Sequence, residues 1–336
     1  MFEKTFDTRA LTAVRRSLPS HMWDAIADAI VSDRRKHEAH LKGTNGGADP
    51  QSADLLEILR STGMVQLPFV LPADTLGAIR AHLDLHPVHR GPHIFSFNAP
   101  PTSLAEARLA FPMAGYRPDQ LLRAPGLVDA LNDPRLINLV EAYLGCVPTL
   151  YSVNAWHSFP ANRPEMVNVQ HFHRDDDDWR FCALFIYLTD VTQAEGPHQI
   201  VAGSHTLAGM EALLRKAASQ GHDVSHFDAA KSFVDCFGET FSSDCERLFN
   251  SSLRSAVGPA GSMFLVNTIA LHRGLVPRNN GRLMVWARFG LGANTNSADL
   301  EQGPLSRRQI LTSLPDTPRN RYINRLLFEY DRQPDY

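Results

Sequence analysis

"VQHFHRDDDDWRF", residues 169–181, carries two histidines two apart, four successive aspartates, then Trp179 and Arg180. Within it, His173-Arg174-Asp175 is an H-x-D triplet that follows a strand-like run, "MVNVQHF" at 166–172. On an extended backbone, residues two apart point the same way, so an imidazole and a carboxylate can share one edge. That pair suits a divalent iron or zinc ion, which needs a further ligand from elsewhere in the chain. H-x-D alone is a weak motif. Four adjacent carboxylates cannot all be buried or all serve one ion, so Asp176, Asp177 and Asp178 are expected as a solvated turn. His171 reads as a strand-edge or supporting residue.

The missing ligand is sought downstream. His272 ends the run "GSMFLVNTIALH" (261–272) and is followed by Arg273-Gly274. Taken alone it reads equally well as a partly buried, hydrogen-bonded histidine. Two histidines and one carboxylate on one face leave the opposite face of an ion open, the arrangement used by non-haem Fe(II) oxygenases. Arg282 then opens "RLMVWARFGL" (282–291). Strand alternation puts Arg282, Met284, Trp286 and Arg288 on one face, and Leu283, Val285, Ala287 and Phe289 on the other. The apolar set is expected to pack on helices. Arg282 then faces a cavity, where its guanidinium fork can grip a carboxylate. Trp286 and Arg288 become candidate substrate-wall residues, suggesting a substrate with a ring or apolar part and an anionic group.

The composition is that of an ordinary globular chain: 336 residues, 43% hydrophobic, 21% charged, net charge -3. No Lys/Arg-rich stripe is visible, which argues against nucleic acid as a partner. No run of about 18 apolar residues appears, which argues against a membrane span. "MFEKTFDTRALTAVRR" lacks the apolar segment of a signal peptide, and Cys146, Cys182, Cys236 and Cys245 form no CxxC pair. A reducing, cytoplasmic setting is expected.

Residues 8–42 read as helical, with an apolar stripe through Met22, Ile26, Ala29 and Ile30. A loop at 42–52 precedes a short helix stopped at Gly63, the strand "MVQLPFV", and a helix opened by Pro72. Residues 86–126 are rich in Pro and Gly, and 127–144 read as one helix ended by Gly145. Short β-like runs follow at 149–159, 166–172, 180–191, 198–203, 261–272 and 282–291, interrupted by a helical insertion at 206–255. The pattern is a mainly β sandwich or barrel core wrapped by helices. The expected organisation is an N-terminal helical extension at 1–50, a β domain at 51–295 and a tail at 296–336. The N-terminal arm, the Pro-rich loop at 86–101 and the insertion are the candidate lids. The arm fits packing on the body or on a second copy equally well, so a homodimer stays open.

The ordered set "Q-x-F-H-R-D" (170–175), "LFIYLTDV" (184–191), "GPHQIVAGSH" (196–205), "H-R-G" (272–274) and Arg282 resembles the phytanoyl-CoA dioxygenase family. The likeness also takes in "LRSTGMVQLPFVLPADTLGAIRAHL" and spans about residues 55–292, more loosely in the insertion. It implies a double-stranded β-helix (jelly-roll, cupin-like) core. It implies Fe(II) held by His173, Asp175 and His272, with 2-oxoglutarate and O2 as co-substrates, and Arg282 on the distal carboxylate of 2-oxoglutarate. The implied reaction is hydroxylation of a small molecule with release of succinate and carbon dioxide. Two positions depart from the family: Arg174 stands where Gln is common, and Gly274 where many members carry a hydroxyl that helps hold 2-oxoglutarate. Asn154 and Tyr187 are candidate substitutes for that contact. The alternatives are a zinc hydrolase on the same ligands, which has no use for Arg282, and a non-catalytic binding member of the fold.

Overall fold

The computed structural model describes residues 8–41, 50–90, 100–160, 168–234, 236, 238–292 and 303–330. Helices come first: α1 (Thr8–Ser17), α2 (His21–His37) and α3 (Pro50–Thr62). On α2 the buried stripe is Trp23, Ala27 and Val31, one position on from the expected one, and Met22 is exposed. Trp23 sets this phase, because its indole N–H donates to the Arg15 carbonyl at 3.0 Å. α3 stops at Gly63, whose φ of +86° is comfortable only for glycine. After α4 (Ala73–Asp84), α5 (Leu104–Ala110) and α6 (Pro118–Leu122), the stretch expected as one helix is two. These are α7 (Leu127–Leu131) and α8 (Pro134–Leu144), and the side chain of Asp133 caps the second by accepting from Arg135 N. Pro134 at the first helical position starts a helix but cannot continue one.

The β core is a double-stranded β-helix made of two antiparallel sheets. The strands are β1 (Met64–Gln66), β2 (His89–Arg90), β3 (Met113–Tyr116), β4 (Thr149–Ser158), β5 (Phe181–Tyr187), β6 (His198–Val201), β7 (Leu253–Ser255), β8 (Met263–Val266), β9 (His272–Gly274) and β10 (Arg282–Gly290). The larger sheet runs β1-β8-β5-β10-β4-β3-β2, and the smaller runs β7-β6-β9.

Beyond strands that end a few residues early, three expected boundaries change. The run 261–272 is not one strand, because the chain leaves the large sheet after Val266 and enters the small one at His272. Asn267 makes the break: its side chain accepts from Ile269 N at 2.9 Å and donates to the Tyr143 hydroxyl at 2.6 Å, an Asx-type turn held from α8. Within the expected strand 166–172, residues 168–170 form a single 3-10 turn, and 166–167 lie outside the described residues. Residues 253–255, counted above with the insertion, are a strand of the small sheet.

β10 alternates as its sequence dictates. Leu283, Val285, Ala287 and Phe289 lie in the main apolar cluster with Leu59 of α3 and Leu139 of α8. Burying each large member of that set contributes about 1.5–3 kcal/mol. A slip of one residue would send Arg282 and Arg288 into this layer instead, so the register is strongly fixed. The other face of the sheet places Trp156, Phe185 and Met284 against Ile200 of the smaller sheet, and the site lies between them. α9 (Leu207–Ser219) and α10 (Glu239–Phe249) close a separate cluster over Phe172 and Leu271.

The main cluster also takes Ala27 and Val31 from α2, and Ile310, Ile323 and Phe328 from the C-terminal end. There α11 (Pro318–Asn324) packs on β4, beside a short parallel pair, β11 (Leu305–Ser306) and β12 (Phe328–Glu329). Among the described residues no helix is long and apolar enough to cross a membrane.

Candidate active site

His173 and His272 face each other across an antiparallel bridge, His173 N to His272 O at 2.9 Å and the reverse at 3.0 Å. Residues directly opposite in such a pair present their side chains on one face, and the two ring centroids are 4.2 Å apart. Asp175 is held on the same edge by Asp175 N to Thr268 O at 2.9 Å. The Nε2 atoms of His173 and His272 lie 4.0 and 3.9 Å from the Asp175 carboxylate oxygens, and one ligand atom from each residue falls within 4.8 Å of the others. Both Nδ1 atoms are taken by main-chain carbonyls, His173 by His171 at 2.8 Å and His272 by Ala270 at 2.9 Å. A carbonyl only accepts, so each Nδ1 carries the ring proton and each Nε2 turns a lone pair to the cluster.

Burial, reinforced by His173, takes the pKa of His272 down to about 3, so the ring is neutral near neutral pH. Burial alone would raise the carboxyl pKa of Asp175, but His272, Arg288 and His173 around it leave it below the usual value. Since His272 is neutral, Arg288 is the standing cation that keeps Asp175 ionised. Two imidazoles with free lone pairs and one carboxylate make a fitting donor set for Fe(II).

These residues open on a cavity of about 190 Å3 that Arg282, Trp156, Trp286, Met284 and His198 also line. Arg282 is 5% exposed, and its Nε and Nη1 have no hydrogen-bond partner among the described residues. A buried guanidinium without an anion is costly, and a carboxylate is the kind of group that would offset it. Its end leans over Gly274, where a Cβ would lie 2.6 Å from Nη2. Gly274, which departs from the family pattern, leaves the space into which the Arg282 guanidinium leans.

Trp286 and Arg288 line the cavity as expected, and Trp156, not expected there, meets Trp286 edge to face at 4.2 Å. Trp156 was findable, because β4 pairs with β10 so that Trp156 stands opposite Met284. Arg288 is not a free cation for a substrate: it pairs with Asp177 at 2.6 Å and lies 3.8 Å from Asp175. The expected anionic group on the substrate thereby loses its partner.

Asn154 and Tyr187 do not line the cavity. The Asn154 amide donates to Ser152 Oγ at 2.7 Å, and the Tyr187 hydroxyl donates to Ala256 O at 2.7 Å while accepting from His198 N at 3.3 Å. Both are satisfied core groups. Among the described residues, neither the N-terminal arm nor the insertion lines the cavity; most of the Pro-rich loop lies outside the described residues.

The aspartate run is not a solvated turn. Asp177 and Asp178 are buried, while Asp176 is partly exposed and pairs with Arg16 at 3.4 Å. Asp178 accepts from Trp179 N at 2.7 Å and Gly292 N at 3.0 Å, and its carbonyl takes the Arg15 guanidinium. Burial raises the pKa of Asp177 to about 7 and of Asp178 to about 6. Arg174 points away from the cluster. It donates to Ser232 O at 3.0 Å, Ser204 O at 2.6 Å and Ile269 O at 2.5 Å, and covers the Phe233 ring.

The phytanoyl-CoA dioxygenase (PhyH) profile matches residues 59–274, which include all three candidate ligands and stop short of Arg282. The chain belongs to the phytanoyl-CoA dioxygenase family. Its ion and co-substrates are those of the family, iron(II) with 2-oxoglutarate and dioxygen, and the His-Asp-His cluster is the candidate metal site. No curated protein shows a significant sequence match.

Among solved structures, the epimerase SnoN from nogalamycin biosynthesis, in complex with Fe3+, alpha ketoglutarate and nogalamycin RO, is 19% identical, with 72% of this chain and 84% of that chain covered and a TM-score of 0.46. HygX from Streptomyces hygroscopicus, with nickel, 2-oxoglutarate and hygromycin B bound, is 17% identical over 70% and 86%, TM-score 0.42. EctD from S. alaskensis with bound Fe is 14% identical over 86% and 90%, TM-score 0.45. Likenesses of this size say nothing about which reaction this chain performs.

Proposed function

We propose that the chain hydroxylates a C–H bond of a small-molecule metabolite in an Fe(II)- and 2-oxoglutarate-dependent reaction. One observation carries the reading: two histidines with their Nε2 lone pairs freed, one carboxylate and an unpaired buried arginine share one cavity. His173, Asp175 and His272 would hold the iron. Arg282 would grip the far carboxylate of 2-oxoglutarate, since a bidentate fork suits that group. Bound there, iron and 2-oxoglutarate supply activation of dioxygen, with loss of carbon dioxide and formation of succinate.

The chain's own part is to orient and to exclude water. Main-chain carbonyls lock both imidazoles, Arg288 keeps Asp175 ionised, and Trp156, Trp286, Met284 and Phe185 make a dry wall. The retained Asp175 supports oxygenation over halogenation, which needs a smaller residue there to free a position for halide. A zinc hydrolase would leave Arg282 buried without purpose. The substrate this wall supports is uncharged and ring-bearing, with oxygen acceptors for the indole N–H groups of Trp156 and Trp286, which have no partner among the described residues.

The test is conversion of 2-oxoglutarate to succinate by the Fe(II)-loaded protein under air. Slow turnover without substrate is expected in the wild type, and none in Asp175→Ala. Equal succinate in both proteins would overturn the reading. Ring-bearing neutral compounds should raise the rate, and their hydroxylated products should appear in step with succinate.

A further inference from the structure

β6 pairs with β9 so that His198 stands directly opposite Gly274, the glycine over which Arg282 leans. The imidazole and the guanidinium thus reach one corner of the cavity from two directions, His198 through strand pairing and Arg282 from the facing sheet. Both line the cavity. His198 is 4% exposed, and its Nε2 has no partner among the described residues, like Nε and Nη1 of Arg282.

Its placement is rigid. The backbone is held by the Tyr187 hydroxyl on one side and by Ala256 N to His198 O at 2.8 Å on the other, and the ring packs on Phe185 at 4.5 Å. An imidazole can offer an N–H at Nε2. Three unpartnered nitrogens on two residues that line one cavity call for a group with several acceptor positions and no donor. A carboxylate, with about four lone-pair sites on two oxygens, is such a group.

We propose that His198 is a co-substrate-binding residue, donating its Nε2–H to the distal carboxylate of 2-oxoglutarate that Arg282 grips. This rests on the reading of Arg282 as the anchor of that carboxylate. In this chain the donor that many relatives place two residues after the second metal-binding histidine is absent, and Gly274 stands there beneath the Arg282 guanidinium. His198 supplies the contact from the neighbouring strand.

The experiment is calorimetric titration of the Ni(II)-loaded protein, which does not turn over, with two ligands. One is 2-oxoglutarate and the other is 2-oxovalerate, which keeps the keto-acid end but lacks the distal carboxylate. His198→Leu should bind 2-oxoglutarate roughly 10- to 100-fold more weakly, the loss of a hydrogen bond to a charged group, while 2-oxovalerate binding stays as in the wild type. His198→Gln, which can place an N–H near the position of Nε2, should recover most of the loss. Should the leucine variant not fold, His198→Asn, too short to reach, takes its place. Unchanged 2-oxoglutarate binding in the loss variant overturns the proposal, and so does an equal loss for both ligands, which would mean a structural or metal-binding role. A wild type that takes up neither keto acid overturns the 2-oxoglutarate reading itself, a failure distinct from that of His198 alone.

Discussion

A methyl group at Gly274 would lie 2.6 Å from the Arg282 guanidinium, and the atom that must yield is the far end of a flexible side chain. Gly274→Ala should therefore leave the fold within about 0.5 kcal/mol of wild type, while the Michaelis constant for 2-oxoglutarate rises roughly tenfold. Chemical denaturation and succinate kinetics measure the two effects separately. Arg288 behaves in the opposite way. Its pairs with Asp177 and Asp175 are buried, and Arg288→Met strips both carboxylates of their cation. A loss of about 3 kcal/mol in urea unfolding is expected, partly recovered when Asp177→Asn is added. At this scale the candidate cluster was legible, because spacing of two along an extended chain and the order His-Asp, His, Arg are local facts. The burial of Asp177 and Asp178 was not. It depends on Arg288 and Arg15, which are remote in sequence, so a run of aspartates reads as solvated when read alone.

The segments around the site show what alternation conveys and what it hides. The alternation of β10 was legible, since its two faces differ in chemistry and both are largely buried. The break at Asn267 was hidden, because apolar residues flank Asn267-Thr268 on both sides in "FLVNTIALH" and the turn is stabilised by Tyr143 from α8. The insertion carries α9 and α10 and is tied to the metal edge by Arg174, which gathers carbonyls from Ser204, Ser232 and Ile269. Arg174→Gln, the residue common in the family, cannot reach all three. It should cost about 2–3 kcal/mol and speed proteolytic cleavage within 220–238, with little change in metal affinity. Unchanged cleavage would show that the insertion is held by its apolar cluster alone.

Across the whole molecule, α2, the β sheet and the C-terminal segments share one apolar cluster, so stability should respond as a unit to groups outside the site. His157 is such a group, on the face of β4 opposite the cavity-lining Trp156 and Ser158. Its ring stacks on Phe159 and meets the Tyr116 hydroxyl at 3.2 Å, and burial, with Arg108 adding, lowers its pKa to about 4. A histidine held below its unfolded value of about 6.5 favours the folded state above that pH, and the advantage is lost as pH falls toward 4. The gap in urea midpoint between wild type and His157→Gln should therefore narrow from pH 7.5 to about pH 4.5. A gap that stays constant would mean that the ring is not desolvated.

Anaerobic titration of the metal-free protein with Fe(II) and then 2-oxoglutarate asks whether the His173, Asp175, His272 cluster and Arg282 together hold the iron and the co-substrate. A weak visible charge-transfer band is expected in the wild type, absent in Asp175→Ala and needing far more 2-oxoglutarate in Arg282→Ala. No band in the wild type, with zinc tightly retained instead, would mean that the cluster and Arg282 do not form an iron(II) and 2-oxoglutarate site.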